Sequence, residues 1–527
     1  MTTTVAPATR PTTAKPSTPE RRWLIPACAG VVMVLYALSA TMFARDGTGT
    51  DFHRRQAAAL AAGHLDIRPV PAALADLDDP YDAEQNLDVR LNGGVQDLAY
   101  RDGRLYSAHG LTIPLLLVPT ELLAGAAPPN WAITLAGACT TVAAGAWALA
   151  QVRRRFVPAL PDWAAASTVV AFGLCGPLWI ITSVGNGYEA AIVVSAALST
   201  LGGALLLKST AGRSAPLGRR GLSRVHAALG SALLAVAVGA RPTAVVNVVI
   251  VCVVAWVVTR SDVAGRAGAH DIDDRSPIDL DQHRRSRRWG DLVAVVAPYV
   301  VIGTLVGLSN LVRFGSISEF GFGYQLSVWN MTEYPKGRPG YLVANMVDQL
   351  LAVPGLHRSF PWISLRPTIG GDRPTMHTSE PIVGLLFTTP ALMVGAFCAV
   401  TRGATLWQRC RSLAVVALTA AATGTLGLIA TSVPFNTSSL RYVVDGAPML
   451  TLAACATWMW ARTAASDRDV SNPVPTICSG VDTISDTDTE TDIGEATGVA
   501  HARQLDLAWL VAVVAGVIVT AAVQVST

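Results

Sequence analysis

Charge is scarce in this sequence. Only 15% of its 527 residues are Asp, Glu, Lys or Arg, whereas 51% are hydrophobic, and the apolar residues gather in blocks of about membrane-spanning length. That composition excludes an ordinary soluble domain and predicts an all-α polytopic membrane protein. A net charge of +3 is too small to mark a nucleic-acid binder, so no nucleic-acid partner is expected. Lysine is nearly absent: of 40 basic residues only Lys15, Lys208 and Lys336 are lysine, which with the many alanines suggests a GC-rich bacterial genome.

Further absences narrow the chemistry. Six of the eight cysteines (Cys28, Cys139, Cys175, Cys252, Cys398 and Cys455) lie inside apolar blocks, and Cys410 and Cys478 lie in loops expected in the cytoplasm. Neither a disulfide framework nor a zinc site follows from that pattern. The sequence has no phosphate-cradling glycine loop, no His-Glu zinc helix and no serine-elbow signature. It shows no internal repeat of the kind that marks inverted-repeat transporters.

Eleven spans are expected, near 23–43, 130–151, 163–184, 188–207, 226–240, 243–259, 291–311, 381–401, 412–431, 443–461 and 506–525. The polar residues 1–22 read as a cytoplasmic disordered tail, longer than a usual signal-peptide start, and the apolar run after them is long enough to stay as an anchor. With the N-terminus inside, 25 of the 40 basic residues fall in cytoplasmic pieces, as the positive-inside rule requires. Residues 23–461 then form the main transmembrane module, with large extracytoplasmic loops at 44–129 and 312–380 carrying juxtamembrane helices. An acidic, aromatic-free linker at 462–505 reads as disordered cytoplasmic sequence, and 506–527 as a final transmembrane helix.

Two stretches need their own reading. The run 111–126, LTIPLLLVPTELLAGA, is too short to span and carries two prolines and a glutamate, so it is expected to be interfacial or re-entrant. The apolar stretch 227–258 is broken once, at Arg241-Pro242, with cytoplasmic flanks on both sides. It should be a hairpin of two short helices that turns at Arg241 within the outer leaflet.

Chemistry is therefore sought on the outer face. Asp51 opens an alanine-rich helical stretch, FHRRQAAALAAGHL, soon after the first span. It is either a helix N-cap paired with Arg55 or a carboxylate held at the membrane face to accept a proton from an attacking hydroxyl. Tyr188 and Glu189, after the turn Asn186-Gly187, begin the fourth span. There a glutamate either answers the helix macrodipole or serves chemistry at the headgroup level. Arg241 either snorkels or clamps a phosphate, and Arg441 and Tyr442, before the tenth span, stand in a comparable position. The loop 312–380 holds nine of the 34 aromatic residues, which fits an interfacial belt or a surface for sugar rings and isoprenoid chains. His53 and His64 have no metal spacing and read as surface histidines.

Together these features resemble the GT-C superfamily of polytopic glycosyltransferases, which take sugars from polyprenyl-phosphate carriers outside the cytoplasmic membrane. The resemblance runs over about residues 20–460. It rests on Asp51, the run ending AAGHLDI, the stretch DLAYRDGRLYSAHGLTIPLLLVP before the juxtamembrane helix, Tyr188-Glu189, the GARPTA hairpin and the closing LRYVVDGAP. Phe52 stands where many relatives carry a second acid, and no tryptophan-rich oligosaccharyltransferase motif occurs.

The resemblance implies Asp51 as the first-loop catalytic acid and general base, with Glu189 as the acid of the second outer loop. Arg241 and Arg441, with Tyr188 and Tyr442, would contact the carrier phosphate. It further implies membrane lipid, a polyprenyl-phosphate sugar donor and a cell-envelope glycan, glycolipid or protein acceptor as partners, a bacterial cytoplasmic membrane location, and in some members a divalent cation (Mg or Mn) on loop carboxylates. The competing readings are a transporter or flippase for a lipid-linked or small polar solute, and a scaffold without chemistry of its own.

Overall fold

A computed structural model of the chain describes residues 23–43, 45–46, 51–211, 222–260, 277–334, 337–366, 378–466 and 488–526. The first apolar block forms helix α1 (Leu24–Phe43), and a two-residue strand β1 (Arg45–Asp46) leads out of it. The first large loop then folds into α2 (Phe52–Ala61), α3 (Ala72–Ala75), α4 (Leu87–Asn92), the hairpin β2 (Leu98–Arg101) with β3 (Arg104–Ser107), and α5 (Thr112–Ala124). Next come α6 (Asn130–Phe156), α7 (Asp162–Leu174), α8 (Pro177–Ile181), β4 (Val184–Gly185) and α9 (Gly187–Ser209), followed by α10 (Arg224–Ala240), a 3-10 turn at Pro242–Asn247, α11 (Val248–Arg260) and α12 (Pro277–Phe314). The second loop holds α13 (Gly340–Leu351) and the short strands β5 (Gly355–Leu356), β6 (Ile363–Ser364) and β7 (Thr378–Ser379). After it stand α14 (Leu385–Thr388), α15 (Ala391–Arg409), α16 (Arg411–Ser432), β8 (Thr437–Ser438), α17 (Leu440–Val443), α18 (Ala447–Ser466) and α19 (Asp488–Ser526).

Among the described residues seven helices are long and apolar enough to cross a membrane, and three shorter apolar helices (Thr112–Ala124, Asp162–Leu174 and Arg224–Ala240) accompany them. On α12 the side chains of Val293, Val300, Val301, Leu305, Leu308 and Val312 are all exposed. An apolar stripe of that length is stable only against lipid. The interior is built largely from small residues, and the crossing of α16 over the start of α18 shows why. A Cβ on Gly446 would lie 2.3 Å from the Gly424 carbonyl oxygen, and one on Gly427 2.5 Å from that of Asp445. Glycine is what lets these backbones touch.

Several expected boundaries shift. The expected span 163–184 is two helices, because Gly176 adopts φ +115° and Pro177 follows it, lacking the N–H that would continue α7. The expected span 381–401 is interrupted in the same way at Pro390, and its long helix α15 runs on to Arg409. The last helix begins at Asp488 rather than 506, so the second half of the acidic linker is helical, with no proline between 488 and 526 to stop it. The tail 1–22 and the linker residues 467–487 lie outside the described residues. The stretch 111–126 forms the helix α5. Its Ile113 and Leu117 are buried while Leu123 is 89% exposed on the other side.

The first loop is fastened down by α2. This helix buries Phe52, His53, Gln56 and Ala57, and the Gln56 amide both donates to the Leu65 carbonyl (2.7 Å) and accepts from the Ser107 N–H (3.0 Å). His53 is thus not a surface histidine. Its ring is fully buried against Phe52 and His109, and His109 in turn lies against Phe52 and Tyr188, within the field of Arg241, Arg313 and Arg441. Burial pushes His53 down to about 3 and His109 well below the usual histidine range.

Both rings are therefore neutral when folded, whereas in the unfolded chain they titrate near ~6.5. Their contribution is complete above that value and is lost as pH falls toward the folded pKa. Thermal unfolding at constant ionic strength should show stability dropping by about 2 kcal/mol from His53 alone between pH 7 and pH 5, and His53→Phe should flatten that dependence. A wild-type melting temperature that stays level over this range would contradict the buried neutral pair.

Candidate active site

Short backbone pairings bring distant segments to one end of the bundle. The parallel pair β1 and β4 sets Asp46 beside Gly185, just ahead of Asn186 at the start of α9. The parallel pair β7 and β8 sets Ser379 beside Ser438, so Glu380 arrives next to α17. The break at Arg241, which is extended (φ −149°, ψ 121°), ends α10 at the same place.

Arg441 is the centre of this convergence. Its Nη2 donates to Glu380 Oε1 at 2.5 Å, and its Nη1 lies 3.8 Å from Glu189 Oε1. The guanidinium also lies over the ring of Tyr188 (5.1 Å) and that of Tyr442 (5.5 Å). Glu380 is fixed through its other oxygen by Ser439 Oγ at 2.6 Å. Arg241 also lies near Tyr442, 5.4 Å from its ring, and its Nε donates to Asp445 Oδ2 at 2.7 Å, with both side chains only 7% exposed. Arg241 therefore does not snorkel. An ion pair this deep holds only because each charge has its counter-charge.

Tyr188 is held from the second large loop. Its hydroxyl accepts from the Gln325 amide at 2.6 Å, and the same amide donates to Asp97 Oδ1 at 2.9 Å. Burial pushes the Asp97 carboxyl upward, opposed by its hydrogen bonds with Tyr188 and Gln325. The stretch around Gln325 thus acts as a clasp between the two loops rather than only as an aromatic belt.

Asp51 makes its side-chain contacts apart from these residues, with Arg54 and Asn130. It occupies the N-cap position of α2 but makes no side-chain cap. Its ion-pair partner is Arg54 (3.2 Å), not Arg55, which turns away to the Gly94 carbonyl. Asn130, at the start of α6, donates to its Oδ1 at 3.4 Å. The Asp51 side chain is 49% exposed. The adjacent Phe52 ring packs on Tyr188, neighbour of Glu189, at 5.5 Å between centroids.

The structure thus brings Tyr188, Glu189, Arg241, Arg441 and Tyr442 into one cluster, whereas Asp51 is linked to it only through the neighbouring Phe52 ring. Sequence reasoning missed Asp445, Glu380, Asp97, Gln325 and His109. Asp445 stood in plain view four residues after Arg441, whereas Glu380 and Gln325 are joined to the site only by loop folding. His64 has no part in the cluster among the contacts described.

Among the buried polar atoms here without a protein partner among the described residues are Arg241 Nη2, Arg441 Nε and Glu189 Oε2. Buried donors and acceptors of this kind are met by ordered water or by a ligand. Two guanidinium donors suit phosphate oxygens, and a carboxylate oxygen suits a hydroxyl. A divalent cation fits the acids less well. The charge between Glu189 and Glu380 is the Arg441 guanidinium, and among the described residues no three His, Cys, Asp or Glu side chains cluster to hold a metal.

No family model and no curated protein matches this sequence. Among solved structures, the chain is similar to the archaeal oligosaccharyltransferase AglB from Archaeoglobus fulgidus, in complex with an inhibitory peptide and a dolichol-phosphate, at 10% identity and a TM-score of 0.46. That likeness covers 96% of this chain and 56% of the archaeal enzyme, so the chain spans just over half its length. It is also similar to ArnT from Cupriavidus metallidurans bound to undecaprenyl phosphate, at 13% identity and a TM-score of 0.40, over 95% of this chain and 75% of that one.

Proposed function

We propose that this protein is an inverting membrane glycosyltransferase that moves a sugar from a polyprenyl-phosphate donor to a cell-envelope acceptor at the outer face of a bacterial cytoplasmic membrane. The observation that carries this reading is the pair of guanidiniums, Arg241 and Arg441, that share the Tyr442 ring, each with a buried N–H left without a protein partner among the described residues, in a cluster where Glu189 Oε2 is also partnerless.

The donor phosphate binds across Arg241 and Arg441, flanked by the Tyr188 and Tyr442 rings. Glu380 is 43% exposed while Glu189 is nearly buried, so Glu380 is the carboxylate that yields its place on Arg441 to the phosphate. Without that exchange three carboxylates would face two guanidiniums and repel the donor. Glu189 keeps Arg441 in place and accepts a hydrogen bond from a sugar hydroxyl through Oε2. An acceptor hydroxyl attacks the anomeric carbon opposite the phosphate, the C–O bond to the phosphate breaks, and the proton of the hydroxyl passes to Asp51. The negative charge that grows on the departing polyprenyl phosphate falls on the two guanidiniums.

Transfer from radiolabelled polyprenyl-phosphate monosaccharides, measured in membranes at matched protein levels, tests each role. Asp51→Asn should lower transfer at least about a hundredfold, and Arg441→Gln should lower kcat by ~10²–10³. Arg241→Gln should raise the donor KM roughly tenfold or more, the loss of one charged hydrogen bond. If Asp46→Asn abolishes transfer and Asp51→Asn does not, the base is Asp46. No transfer from any donor by the wild type would overturn the enzyme reading in favour of transport.

Glu380→Gln separates this scheme from a purely structural ion pair. Removing the carboxylate that competes with the phosphate should lower the donor KM several-fold with the melting temperature nearly unchanged. A raised KM together with a lowered melting temperature would show that Glu380 only holds Arg441.

A further inference from the structure

At the end of the bundle remote from the acids, a cavity of about 640 Å³ opens between α6, α9, α11, α16 and α18. Its walls are apolar, with Leu149, Val254, Val415 and Leu452 among them, and Arg155, Arg260 and Arg411 stand at its rim, where α6 and α11 end and α16 begins. Pockets of ~300–1,000 Å³ with apolar walls and a few convergent polar groups bury most of a bound ligand. Here the charged groups are all cationic, and the neutral polar ones are hydroxyls (Thr200, Thr210, Ser412 and Thr419).

The three arginines differ in what they have left to give. Arg155 is half-buried and donates to the Leu207 carbonyl (2.7 Å) and Thr210 Oγ1 (3.3 Å), so it braces the wall. Arg260 and Arg411 are exposed and lie over the faces of Trp256 (5.0 Å) and Trp407 (5.1 Å). A ring face takes none of the in-plane N–H donors, so both forks remain able to grip an oxyanion.

Distance separates this rim from the candidate active site. Helix α9 starts at Glu189's turn and ends at the rim, and its 23 residues span roughly 35 Å at 1.5 Å per residue. One phosphate therefore cannot serve both ends, which lie about a bilayer's thickness apart.

We infer that this cavity is a binding site for an anionic phospholipid of the opposite leaflet, its acyl chains inside and its headgroup phosphate on Arg260 and Arg411. Charge complementarity selects the anionic headgroup, and the apolar walls select chains over a free anion. The site is independent of sugar transfer, and so is its test.

The full chain, purified in uncharged detergent, would be titrated with phosphatidylglycerol, phosphatidylcholine, a polyprenyl phosphate or inorganic phosphate, with binding read by native mass spectrometry and thermal stabilisation. Phosphatidylglycerol should bind and stabilise, phosphatidylcholine and inorganic phosphate should not, and Arg260→Gln with Arg411→Gln should weaken binding at least about tenfold. Gly203→Leu gives a second route. A Cβ there meets only Met449 Cε at 3.8 Å and Ile250 Cδ1 at 4.0 Å, so a larger side chain fits and fills the cavity. It should abolish lipid binding and leave the lipid-free melting temperature unchanged or higher. Equal binding of phosphatidylcholine, stabilisation by inorganic phosphate alone, or displacement of phosphatidylglycerol by polyprenyl phosphate with the same arginine dependence would each overturn the assignment.

Discussion

A guanidinium stays charged wherever the fold puts it, and in a chain this poor in charge that single fact organises one end of the molecule. Arg441, with its side chain one-fifth exposed, must be met by counter-charge, and the acids that meet it come from the start of α9 and the end of the second large loop. Arg241 makes the same demand of Asp445 and so ties the broken hairpin to the turn before α18. Gly424 and Gly427 let α16 press against that turn, which leaves Asp445 little freedom to leave its partner. Removing either partner of such a pair costs several kcal/mol, because the survivor stays charged in a dry place.

How far the sequence discloses this depends on the reach of each interaction. Span existence is local, a matter of apolar run length, and seven of the expected runs match helices long and apolar enough to cross a membrane among the described residues. The hairpin turn at Arg241 was legible because Arg-Pro is a local break and both flanks are basic. The partner of Arg241 was not, since it lies 204 positions away and no periodicity links the two. At Asp51 the local rule itself misled. Spacing suggested a capped helix with Arg55 as partner, but the rotation of α2 turns Arg55 toward Gly94 and leaves Arg54 and Asn130 to meet the carboxylate. Boundaries failed where one residue decides them, at Gly176-Pro177 and Pro390.

Phe52, next to Asp51, serves packing. The chain places there a buried ring in contact with His53, His109 and Tyr188. An acid at that position would be surrounded by aromatic faces and two neutral imidazoles. The rings instead give Tyr188 a rigid floor, and Gln325 fixes its hydroxyl from above. Tyr188 then presents a fixed face to Arg441, so the position of the guanidinium is set by aromatic packing as well as by acids.

Arg241 and Arg441 are held in one way, and Arg260 and Arg411 in another. At the candidate active site the guanidiniums are paired with carboxylates, which offsets the charge of the cluster. At the other end Arg260 and Arg411 lie open on tryptophan faces around an apolar cavity. Burial raises the worth of each hydrogen bond and, with it, the penalty for a wrong ligand. Exposure lowers both. A buried paired site is thus suited to recognising one reacting phosphate with its sugar, and an open rim to retaining whichever anionic lipid the surrounding leaflet supplies. Glu189, Glu380 and Asp445 meet the arginines of the candidate site, whereas among the described residues no acidic residue lines the cavity, Asp162, Asp291 and Asp506 being taken up by Arg153, Arg224 and Arg462.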